Sequence, residues 1–121
     1  MSLDTNNITF ENYTGLKDME MLNAINISID LSLPYNLNAY MPVGISNADN
    51  SQTMDTSMFN IKESSDTIYK QFINTNSKVI LKGNCAVANR TIHKIDLKLS
   101  SNKTYKSDIY KTVIKFEAEQ K

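Results

Sequence analysis

Residues 25–45 read INISIDLSLPYNLNAYMPVGI, and this stretch decides the fold. Every odd position in it carries an apolar side chain, and most even positions carry a polar or turn-forming one. Side chains alternate across a β-strand with a period of two, whereas a helix would scatter the same residues around its circumference. The pattern therefore predicts β-structure with one face against a core and the other face in water.

Pro34 and Pro42 interrupt this stretch. Because a proline cannot donate a hydrogen bond to a ladder, it belongs at an edge, a bulge or a strand end. We expect two strands, at 25–33 and 35–41, with a bend or a change of sheet between them. The next segment, residues 46–57, is rich in Ser, Asn, Asp and Thr with almost nothing apolar, which predicts a loop.

Other short segments show the same alternation. Further strands are predicted at 7–13, 58–62, 68–73, 78–82, 93–99 and 109–118. Residues 16–24 are ambiguous because apolar side chains recur there at helical spacing, so a short helix and an early strand both stay open. Short strands separated by turns at fairly regular intervals are typical of a β-sandwich or a small barrel.

We therefore predict an all-β fold, an Ig-like sandwich of two antiparallel sheets with about seven to nine strands, and at most one short helix, near 16–24. Residues 1–3 resemble an expression-vector remnant, and we expect residues 4–121 to form a single β-sandwich domain. The predicted core comprises Ile27, Ile29, Leu31, Leu33, Leu37, Ile95, Leu97, Ile114 and Phe116.

Composition narrows the range of partners. The chain of 121 residues carries 13 basic and 13 acidic side chains, and a nucleic-acid-binding protein usually has a basic excess. We therefore expect no nucleic-acid partner. No apolar run is long enough for a membrane-spanning helix, so we expect no membrane span either. The single cysteine, Cys85, excludes an internal disulfide but does not decide the compartment.

Two segments resemble a known class of module. ISIDLSLP at 27–34 is similar to the early strands of Ig-like modules in Gram-positive bacterial surface proteins. KTYKSDIYKTVIKFE at 103–117 is similar to their ending, where a tyrosine precedes the alternating strand that closes the sandwich. The resemblance covers about half the chain and rests on patterning rather than on a signature motif. It implies an extracellular or cell-surface location and a structural or interaction role, with no catalytic residues to carry over.

Chemistry-bearing residues are few. A nucleophilic triad needs a histidine held by a carboxylate, but Asp96, three residues beyond the only histidine, His93, points to the opposite face of a strand. We expect His93 to be a partly buried, hydrogen-bonded histidine at the mouth of a strand. Nothing near Cys85 would lower the pKa of its thiol, so we expect a small buried hydrophobe there.

The loop at 47–55 is the most metal-like feature of the sequence. Oxygen-bearing side chains alternate along it, at the spacing of a calcium loop. However, Gln52 occupies the place of the expected glycine, and Met58 occupies that of the expected bidentate acid. We therefore predict an exposed polar loop and no metal site, and keep Asp49 and Asp55 as candidate ligand contacts.

The aromatic residues raise a carbohydrate-binding hypothesis. Sugar platforms usually use an exposed Trp or Tyr, and Tyr40 lies on the outward, even face of the main stretch. Tyr40 is therefore the third candidate contact, although the chain has no Trp.

We predict a non-catalytic structural or interaction module of a bacterial cell-surface or secreted protein, and a carbohydrate-binding module is the alternative. A small enzyme that uses His93 is a third hypothesis. We expect no cofactor, a protein or glycan partner, and a monomer or an edge-paired dimer.

Overall fold

The computed structural model describes the backbone of residues 2–31, 33–85 and 88–120, and the side chains of 6–31, 33–85 and 91–120. Ten strands lie in these ranges, together with one short 3-10 turn at Thr56–Met58. The strands are β1 (Ser2–Tyr13), β2 (Met19–Leu31), β3 (Tyr35–Tyr40), β4 (Ile45–Asn47), β5 (Thr53–Met54), β6 (Phe59–Glu63), β7 (Lys70–Gln71), β8 (Val79–Cys85), β9 (Ala88–Leu99) and β10 (Asp108–Gln120).

The strands form two antiparallel sheets that pack together as a sandwich. The large sheet has the order β5-β4-β10-β3-β8, and β1 pairs with β10. The small sheet has the order β2-β9-β6-β7. The rings of Phe10 in β1 and Phe59 in β6 meet edge to face, with centroids 5.8 Å apart, across the space between the sheets. The predicted all-β, two-sheet antiparallel sandwich is confirmed.

Of the two alternatives predicted at Pro34, a bend or a change of sheet, the structure shows the change of sheet. β2 pairs with β9 in the small sheet, and β3 pairs with β8 in the large sheet. Leu31 is paired with Ala88 just before the crossover, and Tyr35 is paired with Cys85 just after it. The chain therefore passes from the small sheet to the large sheet between β2 and β3, and it returns between β8 and β9. The pairs β2–β9 and β3–β8 form one two-stranded ribbon that bends from one sheet into the other.

The ambiguous segment at 16–24 is strand from Met19 onward, and the described residues contain no helix there. The predicted loop at 46–57 contains the small hairpin of β4 and β5. This hairpin raises the number of strands above the seven to nine predicted. Across the described ranges, no helix combines the length and the apolar character that crossing a membrane requires.

Most of the predicted core is buried. Seven of its nine residues are buried, whereas Leu31 is half-buried and Leu33 is 50% exposed. The prediction for Leu33 is wrong because this residue lies in the crossover before Pro34, outside both strands, where alternation no longer decides burial. Val43 departs from the alternation for the same reason, since it follows Pro42 between β3 and β4.

Asparagine shapes the strands in a way that alternation did not predict. Every non-glycine residue with a positive φ in the described ranges is an asparagine: Asn12, Asn23, Asn50, Asn76 and Asn84. Asparagine tolerates the left-handed region because its short side chain can hydrogen-bond locally. Three of these residues lie at register shifts, in β1, β2 and β8, where they act as β-bulges.

Candidate functional site

A break in the ladder of β10 coincides with an open groove on the described surface. On one edge of β10, β3 pairs from Gln120 to Lys115, and β4 pairs at Lys111 and Tyr110. Between these pairings, the five residues 41–45 lie opposite only three residues of β10, 112–114. The two extra residues, in a segment that contains Pro42 and Gly44, bulge away from β10. We name the resulting depression the β10 groove.

The β10 groove has a volume of about 560 Å³. Strand β1 forms one wall through Asn7 and Thr9, and β10 contributes Lys111 and Val113. The opposite wall comes from Val43, Gly44 and Ser46 and, in the following turn, from Asn47, Ala48 and Asn50. The hydroxyl of Thr112, a buried residue, donates to the carbonyl oxygen of Val43 at 3.4 Å and ties the bulge to β10.

Most polar side chains of this groove have no side-chain partner among the described residues, although Asn47 and Thr112 are hydrogen-bonded. Within the described ranges, five of them have no side-chain hydrogen bond or ion pair: Asn7, Thr9, Ser46, Asn50 and Lys111. No Asp or Glu side chain of the described part of the chain lines the groove, so the Lys111 ammonium is its single formal charge. The groove can therefore donate and accept hydrogen bonds and attract a negative charge.

The side chain of Asn47 organises the adjoining loop. Its amide group is buried, and its nitrogen donates to Ser51 Oγ at 3.0 Å and to Asp108 Oδ2 at 3.2 Å. Its amide oxygen accepts from the backbone N–H of Gln52 at 3.0 Å. These three bonds fix the turn between β4 and β5, which forms one rim of the β10 groove.

The candidate contacts Asp49 and Asp55 cap their own backbone. Asp49 Oδ1 accepts from the Ser51 N–H at 3.0 Å, and hydrogen bonding by the Ser51 side chain and then by its backbone lowers the pKa of Asp49. Asp55 Oδ1 accepts from the Ser57 N–H at 3.1 Å, at the start of the 3-10 turn. In the part of the chain that the structure describes, no group of three or more His, Cys, Asp or Glu side chains could hold a metal ion.

Tyr40 lies on the outer face of the large sheet, in a network of its own. Its hydroxyl donates to Glu117 Oε1 at 2.9 Å, and the Asn38 amide donates to the same oxygen at 3.1 Å. Desolvation and the Glu117 hydrogen bond raise the pKa of Tyr40 to about 12. The same bonds from Asn38 and Tyr40 lower the pKa of Glu117. Tyr40, Asp49 and Asp55 thus belong to three separate hydrogen-bond networks, and the structure does not join them in one site.

A second polar group lies between the sheets. One nitrogen of His93, Nε2, is 2.7 Å from the Tyr35 hydroxyl, and the other, Nδ1, is hydrogen-bonded to Glu63 Oε1. Glu63 also forms an ion pair with Lys82, with 3.4 Å between Oε2 and Nζ. We call Tyr35, Glu63 and His93 the buried cluster, because all three are nearly inaccessible to water. The cluster joins β3 of the large sheet to β6 and β9 of the small sheet.

The order carboxylate, imidazole, hydroxyl is that of a proton relay. Here, however, both ring nitrogens are engaged in the interior, and burial raises the pKa of the Tyr35 phenol. The thiol of Cys85, on the neighbouring strand, donates weakly to the Lys82 carbonyl oxygen at 3.6 Å. Burial also raises the pKa of this thiol, which disfavours the nucleophilic thiolate. This arrangement suits a structural clamp better than a reactive centre.

Several expectations for these residues are confirmed. Cys85 is buried, and His93 is hydrogen-bonded, although it is buried more deeply than predicted. Asp96 faces away from His93, as its position in the strand predicted, and bonds to Lys62 at 3.0 Å. The sequence did not reveal Glu63 and Tyr35 as the partners of His93, because they lie 30 and 58 residues away from it. A useful signal was that His93 shares a strand face with Ile95 and Leu97, since a histidine facing a core needs partners.

Comparison with known protein families, curated protein sequences and solved structures gives no match for this chain.

Proposed function

We propose that this protein is a non-catalytic interaction module of a bacterial cell-surface or secreted protein. One contrast carries the proposal. The side chains best suited to catalysis, His93 and Cys85, are buried and hydrogen-bonded beside a smaller depression of about 330 Å³, whereas polar side chains without a side-chain partner line the larger β10 groove. Unsatisfied groups at an open surface are available to a ligand, and satisfied groups in the interior hold the fold together.

The state of His93 and Cys85 supports a non-catalytic role. General-base catalysis needs a group within hydrogen-bond reach of the substrate proton, and covalent catalysis needs an activated nucleophile. His93 is 4% exposed and bonded at both nitrogens, and Cys85 is buried with a thiol whose pKa is raised by burial. Their geometry supports the structural interpretation of both residues.

The location rests on the resemblance of segments 27–34 and 103–117 to Gram-positive surface modules. Antibody labelling of intact bacterial cells that express the native gene tests it. The proposal expects label on intact cells or protein in the medium. Label that appears only after lysis, with no protein in the medium, would contradict it.

A carbohydrate-binding module is the second candidate, and the β10 groove favours it. Side-chain amides and hydroxyls, which both donate and accept hydrogen bonds, complement the hydroxyls of a sugar. The volume of about 560 Å³ is within the range of small-ligand sites.

A protein partner would instead use the outer edge of β1 or β2, each of which pairs on one side only within the described residues. Pairing of two such edges would give a dimer, which light scattering would detect.

One matched pair of variants tests the interaction role of the groove. Ala48 lines the groove and Ala24 lies on β2 in the other sheet, and both are exposed. The proposal expects that a glycan array and a displayed peptide library yield selective ligands for the native protein. Ala48→Trp should lose them because the indole fills the groove, and Ala24→Trp should retain them. If both variants retain the ligands, the binding surface lies outside the groove. Turnover of a substrate that His93→Gln abolishes would contradict the non-catalytic proposal.

A further inference from the structure

We infer that the β10 groove binds an acidic saccharide, a sugar ring that carries a carboxylate, with Lys111 as the counter-charge. This inference deepens the proposed function and rests on its carbohydrate-binding form. Three features of the groove carry it: an unpaired cation, a surrounding set of unsatisfied amides and hydroxyls, and a gap in the ladder of β10.

The charge comes first. The Lys111 ammonium has no ion-pair or hydrogen-bond partner among the described residues, and the ladder neighbours of Lys111, Thr9 and Ser46, are uncharged. Two carboxylates of the neighbouring loops have other partners, because Asp49 accepts from Ser51 and Asp108 accepts from Asn47. A ligand carboxylate would therefore find a cation that forms no ion pair with a carboxylate of the described residues. Charge-assisted hydrogen bonds of this kind are about twice as strong as neutral ones.

The hydrogen-bonding groups select the rest of the ligand. Asn7 and Thr9 on one wall and Ser46 and Asn50 on the other place amides and hydroxyls around Lys111. Each of these groups can donate and accept, as sugar hydroxyls do. A molecule with several hydroxyls and one carboxylate uses all of them, whereas a bare carboxylate such as acetate would use the ammonium and leave most of the others unused.

The gap in the ladder argues against an acidic peptide. A peptide that adds a strand to a sheet needs a run of unpaired backbone groups. Between β3 and β4, only residues 112–114 of β10 lack a ladder partner on this edge within the described structure. Three residues offer too short a register for strand addition. The compact ring of a sugar fits the same gap.

The inferred affinity is modest. None of the described side chains that line the groove is aromatic, so no ring can stack on a sugar face. Hydrogen bonds and one charge supply the binding, and salt should weaken it because the site is open to solvent.

The test uses calorimetry with trigalacturonate as the acidic probe, maltotriose as the neutral probe and acetate as the carboxylate alone. Lys111→Gln removes the charge and keeps a polar side chain of similar reach. Lys115→Gln is the matched control, because Lys115 is an exposed lysine on the same face of β10 and does not line the groove. We expect trigalacturonate to bind, Lys111→Gln to weaken it about tenfold and Lys115→Gln to change it less than about twofold.

A second variant keeps the inference testable without removing Lys111. Thr9 is the ladder partner of Lys111, so Thr9→Glu places a carboxylate where the ligand carboxylate would lie. This variant should lose trigalacturonate binding and keep its fold. Thr104→Glu adds the same charge at an exposed threonine outside the groove, and it should bind as the native protein does.

Three results would overturn the inference. If Lys111→Gln and Lys115→Gln weakened trigalacturonate binding equally, the acidic sugar would be attracted to positive charge on the surface in general and not to Lys111 in the groove. Maltotriose bound as tightly as trigalacturonate would overturn the acidic class and leave carbohydrate binding standing. Binding of neither sugar at millimolar concentration would remove the carbohydrate form of the proposed function, while ligands from the peptide library could still support an interaction module.

Discussion

The buried cluster and the β10 groove hold similar polar groups in opposite states. In the cluster, both nitrogens of His93 are bonded, to Tyr35 and to Glu63, and water is almost excluded. In the groove, Lys111 and Thr9 have no side-chain partner within the described ranges and face solvent. A polar group in the interior must be satisfied because an unsatisfied one is costly, whereas a group at the surface is solvated by water until a ligand displaces it.

The difference follows from how the strands continue. At Pro34 the ribbon of strands crosses from one sheet to the other, and this crossover brings Tyr35 of the large sheet beside His93 of the small sheet. At Pro42 the chain stays in the large sheet but leaves the ladder of β10, so a depression opens on the surface. The buried cluster thus lies next to the crossover at Pro34, and the β10 groove lies next to the interruption at Pro42.

The largest expected effect comes from breaking the buried cluster. His93→Ala leaves the Glu63 carboxylate and the Tyr35 hydroxyl without their buried partner. We expect the free energy of unfolding to fall by about 3–5 kcal/mol, because two buried polar groups each lose a hydrogen bond and the missing imidazole leaves a cavity. Urea unfolding monitored by circular dichroism measures this loss.

A double variant separates the role of polarity from that of packing. His93→Phe combined with Glu63→Met replaces the pair by apolar side chains, and such replacements are often neutral or stabilising. The double variant should therefore be more stable than either single variant. A double variant less stable than both single variants would contradict the coupling of His93 and Glu63, and a His93→Ala protein as stable as the native one would remove the contrast with the groove.

A smaller effect is expected from the bond that holds the groove in shape. Thr112→Val keeps the volume of this buried side chain but removes the hydroxyl that donates to the Val43 carbonyl oxygen. We expect a loss of about 0.5–1.5 kcal/mol in unfolding free energy. Amide hydrogen exchange should also rise at residues 43–45, and unchanged exchange there would contradict the role given to this bond.

Alternation in the sequence predicted much of the fold and little of the site. Ile29 and Leu37 are buried because they lie inside ladders, where the period of two fixes the face. Leu33 and Val43 escaped the rule because each lies beside a proline, outside a strand. Pro42 did indicate an interruption, but the number of residues in the bulge depends on where β3 and β4 pair with β10, and no local pattern encodes that register.

Tyr40 and Glu117 form a third polar group, which is near the surface and yet hydrogen-bonded. The pH dependence of protein stability tests this group. The pKa of Tyr40 is raised from 10.0 to about 12, first by desolvation and then by Glu117. Because the folded pKa lies above the unfolded one, the stabilisation is complete below pH 10 and is lost as the pH rises toward 12. We expect the stability difference between the native protein and Tyr40→Phe to shrink across this window. A constant difference in denaturant titrations would contradict the hydrogen bond to Glu117.

The smallest stability effects are expected in the groove itself. Lys111→Gln removes a charge that has no partner in the described structure, so the unfolding free energy should stay within about 0.5 kcal/mol of the native value. Thr9→Glu should raise it by about 0.2–1 kcal/mol, because opposite charges then face each other across the ladder. Thermal melts at low salt measure both changes. A large loss in Lys111→Gln would show that Lys111 is already engaged in the fold.

Amide chemical-shift mapping with trigalacturonate reads both regions in one experiment and tests the contrast between them most directly. Our account predicts saturable shifts at Asn7, Thr9, Lys111 and Val113, and none at His93 or Cys85. Saturable shifts centred on His93 and Cys85, with the groove amides unmoved, would contradict it, since the site would then lie where the structure shows satisfied and buried groups.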